Sequence, residues 1–182
     1  MKKFIKSSLL TFTLFLAIGL DGCDIFENFQ FGLPVSFEIE STGTTTPFGS
    51  VFYCLTDNET YNDYEEDINS ITFVAAYIVT REVNPETLSG DAVLRLYEGT
   101  NSSGELLFEH TANNLTPANH DSTNAYKIEF TSSEIANVNQ SLASGNRCFY
   151  GEYLVQNISG VVTNPYIRVK IDALFSIDAD LN

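Results

Sequence analysis

Two long stretches of this sequence alternate between apolar and polar side chains, and this period of two constrains the fold more than any other feature. From residue 29 to 40, FQFGLPVSFEIE has an apolar side chain at every odd position and a small, polar or charged residue at every even one. From residue 167 to 177, apolar side chains again hold every odd position, with Arg168, Lys170 and Asp172 between them. Successive side chains of a strand point to opposite faces, so each stretch predicts a strand with one buried and one solvated face.

The rest of the chain predicts shorter strands joined by turn-rich connections, together with two short helices. Thr60 with Asp63, and Thr131 with Glu134, have the spacing of a helix-starting capping box. The run from 71 to 80, ITFVAAYIVT, is apolar on both sides and predicts a central strand covered on both faces. About eight strands with hairpin-length connections predict a mainly β fold, an antiparallel β-sandwich with two short helices. A lipocalin-like barrel is the alternative, although the inserted helices fit an even up-and-down order less well.

The N-terminus has the pattern of an export signal. Three lysines at positions 2, 3 and 6 precede an apolar run from residue 9 to 20, which is interrupted only by two threonines and a glycine. A run of this length is too short to cross a hydrocarbon core, which needs about 20 apolar residues. The alternative interpretation is a buried N-terminal helix of a cytosolic domain.

Cys23 follows this run in a segment that resembles the lipobox of bacterial lipoproteins. Leu20, Gly22 and Cys23 match that pattern, whereas Asp21 departs from the small or apolar residue that is usual there. The resemblance implies cleavage before Cys23, a diacylglycerol on its sulfur and an acylated amine, with palmitate as the expected acyl chain. Several chains would anchor the protein stably, because each buried CH₂ adds about 0.8 kcal/mol. The alternative is ordinary secretion with Cys23 as a spare thiol.

These features predict a lipoprotein signal peptide at residues 1–22, a lipidated N-terminus with a short tether at 23–28, and a β-sandwich domain at 29–182. Residues 1–22 carry three lysines and one aspartate, so the rest has 6 basic and 23 acidic residues and a formal charge of −17, against −15 for the whole chain. Such a charge would repel nucleic acid and anionic membrane surfaces. The partners that remain are a membrane, reached through the lipid anchor, and an unknown protein or glycan.

Cys54 and Cys148 are the two cysteines that remain after Cys23. An exported chain meets an oxidising compartment, so an even pair predicts a disulfide. Two buried free thiols are the alternative, since cysteine is often a small core residue.

The chain after Cys23 also resembles uncharacterised β-sandwich lipoproteins of Gram-negative bacteria. In those chains an alternating F-x-V strand follows the anchor, a D-N-x-x-Y-x-x-Y-x-x-x-I segment leads into a strand, and a long I-x-V-x-I-D strand ends the domain. The corresponding segments here are residues 37–39, 57–68 and 167–172. The resemblance implies display in the cell envelope, with the outer membrane as the expected location, and it implies no known activity.

The acidic segment after residue 56 is the most conspicuous cluster of charged residues. Carboxylate oxygens suit calcium, so Asp57, Glu59, Asp63 and Asp67 are weak candidate ligands. Tyrosines interrupt the series and it has no central glycine, so the segment does not match an EF-hand loop. We therefore expect no metal site, and a solvated helix face instead.

Tyr61 and Tyr64 are the weak candidates for ligand binding, because tyrosine rings form sugar-binding platforms when exposed. His110 and His120 are the only histidines, and neither has a partner at metal-ligand spacing. The sequence has no G-x-S-x-G nucleophile motif. We expect no catalytic residue, no cofactor and no enzyme activity.

The sequence thus favours a lipid-anchored cell-envelope protein that acts as a non-catalytic binding or surface-interaction module of unknown ligand. Two alternatives remain open: a lipocalin-like carrier of an apolar ligand, and a small envelope hydrolase that uses paired carboxylates.

Overall fold

The computed structural model describes residues 29–159 and 162–180. The predicted signal peptide, the lipidation site at Cys23 and the tether at 23–28 lie outside these residues. The described part contains eight strands in one hydrogen-bonded antiparallel sheet. The strands are β1 (Phe29–Thr42), β2 (Phe48–Cys54), β3 (Ile68–Asn84), β4 (Gly90–Glu98), β5 (Leu106–Leu115), β6 (Tyr126–Lys127), β7 (Cys148–Gln156) and β8 (Tyr166–Ala179).

The sheet curls so that its two halves face each other. Its spatial order is β5-β4-β7-β2-β1-β8-β3-β6. Phe149 of β7 and Phe175 of β8 contact each other at a ring-centroid distance of 6.4 Å, although β2 and β1 lie between their strands in the sheet. The two halves therefore enclose one apolar core, as the two layers of a sandwich do. The predicted mainly β, antiparallel fold of eight strands with two short helices is confirmed.

Side chains, rather than a strand ladder, close the gap between the two edges of the sheet. Within the described residues, the end strands β5 and β6 do not pair with each other. The Phe130 ring lies edge-on to Phe108 of β5 at 4.8 Å and to Phe73 of β3 at 5.0 Å. We call this junction the seam. The non-sequential strand order and the open edges exclude the closed up-and-down barrel that is the alternative prediction.

The two strictly alternating stretches become neighbouring strands. β1 and β8 pair along their whole length, from Phe29 opposite Ala179 to Thr42 opposite Tyr166. Within this ladder Leu33 faces Phe175, and both side chains are buried in the core. A slip of one residue would turn every buried side chain outward, so the apolar pattern fixes this register.

β3 is longer and less covered than its apolar sequence predicts. It lies next to the short edge strand β6, and its outward side chains Val74 and Tyr77 are 49% and 36% exposed. The expectation of a central strand covered on both faces is therefore wrong. The apolar run continues on the outer side of the strand without a second layer to bury it.

Both predicted helices are present. α2 (Ser132–Ala143) begins with the predicted capping box, in which Thr131 and Glu134 exchange side-chain and backbone hydrogen bonds. α1 (Glu59–Tyr64) is capped by Asn58, whose side chain accepts from the backbone N–H of Tyr61 at 3.1 Å. The predicted Thr60–Asp63 cap is wrong because asparagine, an equally good cap, precedes it by two positions. α2 packs over the seam, against β3 and β5.

Candidate functional site

The outer face of β5, β4, β7 and β2 carries rows of side chains that run across the strands. Register pairing places Phe52, Tyr150 and Tyr97 side by side, and Leu106 of β5 lies beyond Tyr97. We call these four residues the aromatic row. The Tyr97 and Tyr150 rings are 6.2 Å apart, and Phe52 and Leu106 are 57% and 44% exposed. This row presents apolar side chains to solvent on the outer side of the sheet.

The next row along the same strands is polar and consists of Ser50, Glu152, Arg95 and Glu109, which we call the charged row. Arg95 Nε donates to Glu109 Oε2 at 2.5 Å, and Arg95 Nη1 lies 3.6 Å from Glu152 Oε2. The Glu152 side chain is only 10% exposed, although it is on the outer side of the sheet. One guanidinium therefore holds two carboxylates in place.

A third row lies on the other side of the charged row. Phe48, Leu154 and Val93 are register neighbours on β2, β7 and β4, and we call them the apolar row. Phe48 is 46% exposed, whereas Val93 is buried. Rows on one face of a strand lie two residues, or about 6.8 Å, apart. The charged row therefore lies between two rows of apolar side chains.

The hydroxyl of Tyr97 connects the aromatic row to the charged row, since it donates to Glu152 Oε2 at 3.5 Å. Desolvation raises the pKa of Tyr97, and the charge of Glu152 raises it further. The hydrogen bond to Glu109 is the main cause that raises the pKa of Arg95. Tyr97 therefore keeps its proton and Arg95 its charge at neutral pH, so both remain hydrogen-bond donors.

Sequence reasoning does not identify this face as a site. Phenylalanine is a residue type that is usually buried, whereas Phe48 and Phe52 lie on the outer side of β2. The available signal is that β4, in AVLRLYEG, places arginine and tyrosine on the same side, at alternate positions 95 and 97. Their charged and aromatic partners come from strands distant in sequence, so the rows become visible only with the strand order.

The two tyrosines singled out from the sequence do not form a ligand platform. Tyr61 is only 2% exposed, and its hydroxyl accepts a hydrogen bond from Arg147 Nε at 2.9 Å. Tyr64 is half-buried, and its ring contacts Phe31 at a centroid distance of 5.1 Å. Tyr61 is therefore unavailable to a ligand, because it faces inward at the end of the sandwich and Arg147 occupies its hydroxyl.

The acidic residues considered for calcium occupy three successive helical turns. Asp57 lies in a 3-10 turn before α1, Glu59 and Asp63 lie in α1, and Asp67 lies in a 3-10 turn after it. Asp57 Oδ2 accepts from the backbone N–H of Cys54 at 3.2 Å, which is a local capping role. In residues 29–159 and 162–180, no group of three or more acidic, histidine or cysteine side chains has the arrangement of a metal site.

Cys54 and Cys148 are brought together, as register partners at the same end of β2 and β7. They form a disulfide with their Cα atoms 4.0 Å apart. Beside it, Arg147 Nη1 donates to the carbonyl oxygen of Leu142 at 2.7 Å, while Arg147 Nε donates to Tyr61. The guanidinium thus ties the end of α2 to α1 at the disulfide end of the sandwich.

Both histidines contact one tyrosine near the seam. The rings of His110 and His120 lie 5.9 Å and 5.4 Å from the ring of Tyr126, and His110 Nε2 lies 3.1 Å from Tyr126 Oη. Burial lowers the pKa of His110, and the charges of Glu134 and Glu129 partly oppose this effect. His110 is therefore half-buried and neutral at pH 7.

The interior of the sandwich is nearly filled. An apolar void near Gly151 and Phe175 has a volume of about 40 Å³ and is lined by residues from both halves of the sheet. Ligand pockets are typically about 300–1,000 Å³. The void is therefore too small for an apolar ligand of ordinary size.

No known family model matches the chain, and no curated protein matches it. Among solved structures, the chain is similar to one from tobacco necrosis virus, with 11% identity over 84% of this chain and 97% of that chain and a TM-score of 0.35. A structure from turnip yellow mosaic virus has 10% identity over 84% and 95% of the two chains and a TM-score of 0.34. A structure from Desmodium yellow mottle tymovirus has 14% identity over 100% and 97% and a TM-score of 0.30. Likenesses this low say nothing about family or function.

Within the part of the chain that the structure describes, no helix has both the length and the hydropathy that a membrane span requires.

Proposed function

We propose that this protein is a lipid-anchored component of a Gram-negative cell envelope, held at the outer membrane, and that it binds a partner without catalysis through the outer face of β5, β4, β7 and β2. The charged row is the observation that supports the binding role. Glu152 is nearly buried there beside Arg95, between two rows of apolar side chains. Desolvated ion pairs contribute little to the stability of a fold, so stability alone does not account for this arrangement.

The anchor part of the proposal rests on Cys23 and on the start of the sheet at Phe29. An extended chain covers at most about 3.6 Å per residue, so residues 23–28 would reach no more than about 20 Å. The end of the sandwich that contains Phe29 and Tyr64 would then lie close to the bilayer. The binding face would extend sideways from the membrane, because its rows lie along the side of the sandwich.

The carrier alternative has less support, because the apolar void measures about 40 Å³. The hydrolase alternative has less support for a different reason. Glu109 and Glu152 both contact the guanidinium of Arg95 on the surface of a sheet, where a scissile bond would not be enclosed. A lipid-anchored binding module agrees better with a filled core and an open face.

The test is co-sedimentation of the full-length chain with envelopes isolated from the bacterium that produces it. The chain carries Cys23→Ala, so that no lipid anchor attaches it to membranes. A second variant carries Phe52→Ala in addition to Cys23→Ala, and this change removes the most exposed ring of the aromatic row. We expect this change to weaken envelope binding about tenfold, because removing a central anchor residue of an interface costs about 1–2 kcal/mol.

Leu174→Ala is the matched control, because Leu174 is an apolar side chain on the outer side of β8 that is 38% exposed. This variant should bind envelopes as tightly as the chain with Cys23→Ala alone. Equal binding by the Phe52→Ala and Leu174→Ala variants, or no binding by any of them, would overturn the proposed function. Urea unfolding of each variant would verify that the variants remain folded.

A further inference from the structure

The three rows cover too small an area for a folded protein partner. Each strand occupies a width of about 4.8 Å and each row a depth of about 6.8 Å, so four strands and three rows cover about 19 Å by about 20 Å, or about 400 Å². A stable protein–protein interface buries about 800 Å² on each partner. The face therefore fits a short chain or a small molecule.

The middle of the face, on β4 and β7, offers side chains and no free backbone to a ligand. β4 is paired along its length with β5 and β7, and β7 with β4 and β2. Peptides that bind to sheets add a strand at an edge and pair with its backbone N–H and C=O groups. A peptide lying on this face would leave its own backbone groups without such partners, which is costly when they lose water.

The charges on the face exclude another class of ligand. The charged row contains two carboxylates and one guanidinium, in a chain whose formal charge is −15. Anionic chains such as nucleic acids or acidic polysaccharides would be repelled. A ligand rich in neutral hydroxyl groups would instead donate to Glu109 and to the hydroxyl oxygen of Tyr97, and accept from N–H groups of Arg95.

We infer that the ligand of this face is a neutral glycan chain of the cell envelope, whose sugar rings stack on the aromatic row while their hydroxyls bond to the charged row. A sugar ring has an apolar C–H face and a rim of hydroxyls, which matches one row of rings beside one row of charged groups. Aromatic rings supply large apolar contact area at a low cost in conformational entropy. This inference rests on the proposed function, since it names the ligand of the same face.

The experiment is a competition in the envelope sedimentation described above. Envelopes are digested with protease and extracted with organic solvent, and the soluble carbohydrate fraction is then added to the Cys23→Ala chain and intact envelopes. We expect this fraction to displace the chain from the envelopes. Oxidation of the fraction with periodate, which cleaves vicinal diols, should abolish the displacement. The Phe52→Ala change should weaken binding to the fraction about tenfold, and Leu174→Ala should leave it unchanged.

The outcomes separate this inference from the proposed function. Suppose that Phe52→Ala weakens envelope binding but the carbohydrate fraction does not compete, or competes equally well after periodate. The glycan assignment is then wrong, and the proposed binding function is retained. Displacement by the extracted lipid or by protease-sensitive material would identify a lipid or protein partner and would also overturn the assignment. Where Phe52→Ala does not weaken binding to intact envelopes, the proposed function itself fails.

Discussion

Asn137 and Asn139, two positions apart on α2, hydrogen-bond to opposite edges of the sheet. Asn137 Nδ2 donates to the carbonyl oxygen of Leu107 in β5 at 3.2 Å. Asn139 Oδ1 accepts from the backbone N–H of Phe73 in β3 at 2.7 Å. One helix thus provides a donor to one edge strand and an acceptor to the other side of the gap, and it holds the two edges together across the seam.

We expect Asn139→Ala to lower the free energy of unfolding by about 1–3 kcal/mol, because the N–H of Phe73 in the half-covered seam would lose its partner. Chemical unfolding in urea measures this loss. Asn113→Ala, an exposed position on β5, is the control and should change stability by less than about 0.5 kcal/mol. Equal stability of the two variants would show that α2 does not bridge the edges as described.

Reduction of the Cys54–Cys148 disulfide should destabilise the protein. The bond closes a loop with a sequence separation of 94. For a loop of this length, chain entropy gives an upper value of about 4–5 kcal/mol. Urea unfolding with and without dithiothreitol measures the effect, and Cys54→Ser with Cys148→Ser together should reproduce it. An unchanged unfolding midpoint would contradict this prediction.

Two glycines on neighbouring strands should respond to alanine in opposite directions. At Gly151, a new Cβ would lie 3.6 Å from Phe37 Cε2, in ordinary contact, and would partly fill the apolar void. We expect Gly151→Ala to raise the free energy of unfolding by about 1 kcal/mol, through a more restricted unfolded chain and a buried methyl group.

Gly49→Ala is the paired variant and should destabilise the protein by about 1–3 kcal/mol. Its Cβ would overlap the backbone carbonyl oxygen of Glu40, and backbone in the β1–β2 hairpin cannot move aside as a flexible side chain can. Thermal or urea unfolding of both variants gives the comparison. Stabilisation by Gly49→Ala, or strong destabilisation by Gly151→Ala, would mean that the packing near these glycines differs from the structure.

Acid should weaken the fold partly through His110. Burial lowers the pKa of this residue in the folded state below its ordinary value, about 6.5. The unfolded chain then binds the proton more readily, so the contribution of His110 to stability is complete above about pH 6.5 and is lost as the pH falls through the lowered folded pKa. Unfolding midpoints between pH 7.5 and 5 should fall less steeply in His110→Gln. Parallel profiles for the two proteins would exclude this role.

In a chain that also carries Phe52→Ala, which weakens the binding face, Cys23→Ala should move the protein from the membrane fraction to the soluble fraction of cells, because the proposed acyl chains would be lost. Fractionation followed by immunoblotting measures the distribution. The chain with Phe52→Ala alone is the matched control, since it keeps Cys23 and should remain with the membrane. Persistence of the protein with both changes in the membrane fraction would refute the anchor.

The sequence predicts the architecture well where the apolar pattern is strict. The alternation in β1 and β8 defines both strands and their buried faces, and Thr131 with Glu134 defines the start of α2. The pattern misplaces β3, because a run that is apolar on both faces indicates burial only if a second layer exists, and the strand order decides that. The seam is likewise invisible in the sequence, since it joins residues from three distant segments.

The candidate site is much harder to predict from the sequence. Phe52 and Tyr97 belong to strands with another strand between them, and their common row depends on the register of β7 with both neighbours. Tyr61 has the residue type expected in a ligand platform, yet helix packing and Arg147 direct it into the core. Residue type indicates the chemistry that is available, whereas exposure and row membership depend on tertiary structure.

The seam has a consequence for how the molecule opens. It is held by the Phe130 ring and by contacts of α2, whereas β8 is secured by long ladders on both sides, to β1 and to β3. Local unfolding occurs where the fewest cooperative contacts must break, so amide protons beside the seam should exchange with solvent well before those of the central ladder. The protein can therefore loosen along one line while the disulfide-linked strands β2 and β7, and the face they carry, keep their native arrangement.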